Sequence, residues 1–131
     1  MPSNPSSATP SPISVTVEVE YLTAQSDPSS NNYAFAYRIT VTNHGSETLQ
    51  LLSRHWLITD GDQRQREVTG LGVVGEQPYI GPGQSYQYTS GVVLDTAIGT
   101  MQGSYQLVSS DNRSIEAPIA PFLLAAPNQV N

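Results

Sequence analysis

Cysteine is absent from this sequence, and so is lysine. Without cysteine there is no disulfide scaffold, no thiolate zinc site and no cysteine nucleophile. The absence fits a reducing compartment, and the cytoplasm is the expected location. Without lysine, five arginines carry all the fixed positive charge against eleven carboxylates, for a net charge of −6. Clustered cations are what displace counterions from phosphates, so a nucleic-acid surface is not expected, and an anionic membrane surface is disfavoured. No apolar run approaches the length of a membrane span, so insertion is not expected either. The first residues show neither the basic start nor the apolar core of a secretory signal. Charged residues make up only 12% of the chain, so Ser, Thr, Gln and Asn must supply the polar surface. No window of eleven or more residues has helical periodicity.

What is present alternates with a period of two. One domain is the default for 131 residues. Residues 1–12, rich in Pro and Ser, are expected to be a disordered tail, 13–127 the domain, and 128–131 a frayed end. From Ile13 to Leu22, Val15, Val17, Val19 and Tyr21 fall on one face, with Thr16, Glu18 and Glu20 on the other. Tyr33 to Asn43 repeats this with Phe35, Tyr37, Ile39 and Val41 inward, and Asn43-His44-Gly45 supplies a turn. Thr48 to Thr59 has apolar residues on both faces, Leu52, Arg54, Trp56 and Ile58 against Leu51, Ser53, His55 and Leu57, as a central strand would. Shorter strands are expected at Arg64–Thr69, Ser85–Leu94, Ser104–Ser109, Ser114–Glu116 and Ile119–Leu124, with a glycine-punctuated crossing at Thr96–Gly103. Many short strands with regular turn signals predict an all-β fold, an antiparallel β-sandwich of the fibronectin-III or immunoglobulin kind.

The stretch from Val68 to Gly83 holds half of the ten glycines. Gly70-Leu-Gly72-Val-Val-Gly75 matches the dinucleotide fingerprint as a string, but that fingerprint works between a strand and a helix. Pro78 and Gly81-Pro82-Gly83 forbid the helix, and the Walker pattern fails for want of a lysine. Two readings stay open: a backbone-amide nest for an anion, and a looped crossing where glycine permits unusual dihedrals. His44 and His55, near Asp60, Asp62 and Glu67, are the candidate ligands for a divalent ion such as Mg²⁺ or Co²⁺, although no metal-ligand spacing accompanies them and no cofactor is expected. Trp56 reads as the core tryptophan of a sandwich. Arg54 beside it needs an acid or carbonyl partner, and Arg54 and Trp56 are also candidate anchors for a binding partner. No serine sits in a nucleophile elbow, and an enzyme is not expected.

Several segments resemble the ApaG family: Gln25-Ser26-x-Pro28, Tyr33-x-Phe35-Ala36-Tyr37-x-Ile39, Leu51-Leu52-Ser53-Arg54-His55-Trp56-x-Ile58, Val68-x-Gly70-x-Gly72-Val73-Val74-Gly75-Glu76-Gln77-Pro78, Tyr88-Thr89-Ser90-Gly91 and Gly99-x-Met101-x-Gly103-x-Tyr105. The resemblance runs from about Ile13 to Pro127. It implies a fibronectin-like sandwich, an association with cobalt resistance and magnesium efflux, and a glycine motif suggested to hold a nucleotide pyrophosphate. Related domains in F-box proteins and polymerase-delta-interacting proteins imply a protein-binding role. Two functions follow as expectations. The first is a non-enzymatic module that engages an unidentified protein, with an indirect effect on divalent cations. The second is a sensor of pyrophosphate or a dinucleoside polyphosphate, a phosphate-rich small molecule held at Gly70, Gly72 and Gly75 with or without a divalent cation.

Overall fold

Eight strands fold into two antiparallel sheets in a computed structural model that describes residues 11–127. The first sheet has the order β1 (Ile13–Tyr21), β2 (Tyr33–Asn43), β6 (Ser85–Leu94). The second runs β4 (Gln65–Leu71), β3 (Leu49–Asp60), β7 (Ile98–Ser109), β8 (Ser114–Ala125), and the two-residue β5 (Tyr79–Ile80) pairs with the start of β3. The expected sandwich is the observed fold. The expected tails at residues 1–10 and 128–131 lie outside the described residues. Pro12, assigned to the tail, uses its carbonyl to accept the His44 N–H at 2.8 Å, so ordered chain begins slightly earlier than the alternation suggested.

The core lies where the alternation places it on β2, with Phe35, Tyr37, Ile39 and Val41 all buried. Trp56 is 2% exposed, and Tyr37 and Phe122 meet it edge-to-face at 5.6 and 5.9 Å between ring centres. Edge-to-face rings add to the area they bury, so truncating Trp56 to alanine would cost about 3–5 kcal/mol. At the end of β2, the buried Asn43 side chain donates to the Glu47 and Ile80 carbonyls and accepts the Gly45 N–H. The predicted turn is thus a corner tied to β5.

Three expectations need correction. β3 is central, but its inward face is not one continuous set. Its pairing with β7 shifts between Leu51 and Ser53, so Leu49 and Leu51 point inward before the bulge and Arg54, Trp56 and Ile58 after it. An extra residue in a pleat of period two exchanges the faces, and Leu52 does not share a face with Trp56. The crossing predicted at Thr96–Gly103 belongs mostly to a strand, because β7 runs unbroken from Ile98 to Ser109. Glycine is required at Gly103, where a Cβ would lie 1.9 Å from the His55 carbonyl oxygen of β3. The two short strands at the C-terminal end are one strand, β8, whose pairing slips near Pro121. Proline fits there because β8 is an edge strand with an irregular ladder.

Candidate functional site

The glycine-rich stretch begins inside β4. Gly70 pairs with Arg54 across the ladder and Leu71 with Ser53. The chain then leaves the sheet and doubles back. Val73 and Glu76 exchange backbone hydrogen bonds at 2.8 and 2.9 Å, which encloses a two-residue turn of Val74 and Gly75. Both turn residues have positive φ, 48° and 80°, the geometry of a type I′ turn. Glycine suits that geometry, whereas a β-branched valine is strained in it. Gly72 also has positive φ, and a Cβ there would come within 2.2 Å of the Glu76 carbonyl oxygen.

Arg54 holds this hairpin from below. Its Nη1 donates to the carbonyls of Leu71 at 3.1 Å and Gly72 at 2.8 Å. The guanidinium lies flat against Gly70, where a Cβ would be 2.8 Å away. The bulge at Leu52 supplies a second clamp, since its carbonyl accepts the Gly72 N–H at 2.7 Å and the Gln77 side chain at 2.9 Å. Each glycine of the Gly70-x-Gly72-x-x-Gly75 string therefore has a local role: contact with Arg54, close approach to Glu76, and turn closure. The Gly72 and Glu76 amides are already paired, and two successive left-handed residues do not converge their amides as a nest does. The geometry gives the expected anion loop no support. The hairpin presents side chains instead, with Leu71 79% and Val74 62% exposed.

Arg54 takes the carbonyl partners that its inward position requires. Trp56 faces the core, so its role as a partner anchor is corrected: a ring already packed between two sheets has no surface to offer. His44 bonds Ser14 Oγ through Nε2 at 2.8 Å, and His55 Nε2 lies 2.7 Å from Glu67 on the outer face of the β3–β4 pair. The two imidazoles are not brought together, and among the described residues no group of three or more His, Asp or Glu side chains converges.

A cleft of about 380 Å³ opens between the edge strands β4 and β6, next to the hairpin. Arg54, Arg66 and Ser90 line it above Tyr37, Trp56 and Met101. The sequence reading overlooked Arg66, Ser90, Leu71 and Val74. A signal existed for two of them. Arg66 alternates with Val68 and Gly70, and Ser90 alternates with Tyr86, Tyr88, Val92 and Leu94, so each is a polar residue in an inward series.

Titration is unusual mainly in the core. The Tyr88 and Tyr105 hydroxyls, one from each sheet, bond each other inside the sandwich. Burial pushes Tyr88 up to about 12 despite that bond, and burial pushes Tyr105 still higher. At the surface, hydrogen bonds from Ser29 and Ser30 hold Asp27 below the usual carboxylate range, and Ser109 with Arg113 does the same for Asp111.

The ApaG domain family matches residues 23–109. The chain belongs to the ApaG family. It is 55% identical to Protein ApaG of Azotobacter vinelandii over 119 residues, covering 91% of this chain and 94% of that one. It is 50% identical to Protein ApaG of Bordetella pertussis over 122 residues, 93% of each chain. A crystal structure described as an ApaA protein from Bordetella pertussis superposes with a TM-score of 0.86 at 52% identity, over 88% of this chain and 94% of that chain. A second solved structure, a structural-genomics target, is 47% identical with a TM-score of 0.86, over 92% and 91% of the two chains. The ApaG domain here thus carries the hairpin and cleft on a framework shared with these relatives. None of its helices, among the described residues, is long and apolar enough to cross a membrane.

Proposed function

We propose that this ApaG domain is a non-enzymatic, cytoplasmic binding module that engages another protein through the hairpin at Leu71 and Val74. One observation carries the reading: two large apolar side chains, Leu71 at the end of β4 and Val74 in the turn after it, stand in solvent on a hairpin held from below by Arg54 and the Leu52 carbonyl. Exposed apolar side chains on a preorganised loop lose little entropy on docking, and a strained backbone is a common companion of recognition sites. The family's link to cobalt and magnesium then operates through the partner. The placement of the shifted groups supports the non-enzymatic reading: among the described residues the strongly shifted ones are two tyrosines buried in the core. Pyrophosphate at Gly70, Gly72 and Gly75 is the weaker reading, since the Gly72, Val73 and Glu76 amides are already bonded within the fold.

The test compares proteins recovered from cell extract by the wild-type domain and by a Leu71→Ser/Val74→Ser variant, after circular dichroism shows both are folded. Loss of a specific protein with the variant supports the reading. Recovery of the same set with both removes the hairpin from the interface.

A further inference from the structure

We propose that the cleft between β4 and β6 is a binding site for the oxyanion head of a small molecule, a carboxylate or phosphate, gripped by Arg54, Arg66 and Ser90. Anion binding here does not require the hairpin's protein contact, although Arg54 serves both places.

The first argument is positional. Arg66 stands opposite Ile58, and Gly70 opposite Arg54, so Arg66 and Arg54 share the inward face with Trp56 and Ile58. Ser90 pairs with Tyr37 on the inward face of the other sheet. Arg54 and Ser90 thus occupy half-buried positions that a sandwich ordinarily fills with apolar ones, Arg66 stands exposed at the rim, and the three line one opening.

The second argument is charge. The chain has eleven carboxylates and five arginines. Arg38, Arg64 and Arg113 each pair with an acid. Arg54 and Arg66 have no acidic partner among the described residues, and both line this cleft, which contains no carboxylate. In a domain of net charge −6, two acid-free arginines facing one space form a local well for an anion.

The third is donor geometry. Arg54 spends Nη1 on the Leu71 and Gly72 carbonyls, which fixes the guanidinium plane. Its Nε–H and Nη2–H groups have no acceptor among the described residues. Arg66 gives one bond from Nη2 to the Val93 carbonyl at 3.2 Å, across the mouth of the cleft. The Ser90 hydroxyl has no partner among the described residues. A planar, preorganised guanidinium with free donors suits bidentate recognition of a carboxylate or phosphate. Gly91 adds no side chain to the wall, and about 380 Å³ accommodates a small molecule rather than a long polymer. Asp60 and Asp95 border the adjoining hollow that Arg66 also touches, without pairing to it. They repel a long polyanion there, so the ligand is a mono- or dianion with an uncharged body.

The probes are phenyl phosphate and benzoate, with benzamide as the neutral control, titrated at low salt into the ¹⁵N-labelled domain. Expected are saturable shifts in the amides of Arg66–Val68 and Ser90–Val93 and in the Arg54 Nε–H signal, with none for benzamide. The tighter of the two anions names the head group. Arg66→Gln and Ser90→Ala are expected to keep the fold, and Arg66→Gln should weaken binding by about tenfold, the loss of one charge-assisted contact. Arg54→Gln should abolish binding, but it also releases the hairpin, so the Arg66 and Ser90 variants decide. Three results would overturn the proposal: no saturable shift with either anion at about 20 mM, a concentration beyond weak specific binding; equal shifts around Arg38 and Arg113; or an affinity untouched by Arg66→Gln.

Discussion

Replacing Tyr105 by phenylalanine removes one hydroxyl and strands another. Tyr105, on β7, and Tyr88, on β6, bond only across the sandwich, and both rings are buried. In Tyr105→Phe the Tyr88 hydroxyl keeps its desolvation penalty and loses its partner, which costs about 1–3 kcal/mol. Tyr88→Phe strands the Tyr105 hydroxyl with a similar cost. The double phenylalanine variant strands nothing and forfeits only the net value of one hydrogen bond, about 0.5–1.5 kcal/mol. The double variant should therefore be no less stable than either single one, with a coupling of about 3 kcal/mol in urea unfolding. High pH gives a second handle. Tyr88 is pushed up to about 12 in the folded protein, against an ordinary value of 10.0. An unfolded tyrosine therefore gives up its proton first. The stability of the neutral pair is complete below pH 10 and is lost as pH climbs towards 12, at about 1.4 kcal/mol per pH unit for each group. The double phenylalanine variant should lack this decline. Strictly additive single costs, or a wild type whose stability falls no faster than the double variant's above pH 10, would show that the two hydroxyls do not share a buried bond.

Val74→Asn should raise stability by about 1 kcal/mol in urea unfolding, because asparagine accepts the left-handed backbone that strains valine; it should also weaken partner recovery, since an apolar contact is lost. Gly70→Ala places a methyl 2.8 Å from the Arg54 guanidinium. It should cost about 1–3 kcal/mol and speed amide exchange at Gly72, whose loop Arg54 would release; unchanged exchange would contradict the clamp. Asn43→Ala removes two donated bonds and one accepted bond from a buried corner. A loss of about 2–4 kcal/mol is expected in thermal or urea melts, and a loss below 1 would mean that water replaces the amide.

The all-β class was legible in the alternation, because a pleat of period two must write its buried face into every second residue. β2 shows this most plainly: Phe35, Tyr37, Ile39 and Val41 were named from spacing and are buried. The family was legible too, since it rests on contiguous residues. Spacing failed where an extra residue entered a ladder. β3 reads as apolar on both faces because Leu51 and Trp56 lie on opposite sides of a bulge, and the bulge is set by the partner strand's register. The glycine string failed for a related reason. The same spacing serves a phosphate only when a helix follows, and here a hairpin follows, closed by Arg54 from another strand. The cleft was least legible of all. Arg54, Arg66 and Ser90 sit on three strands of two sheets, and only packing brings them to one opening. Local pattern determines which face of a strand is buried; which side chains meet across that face depends on register and sheet order, which are long-range properties of the folded chain.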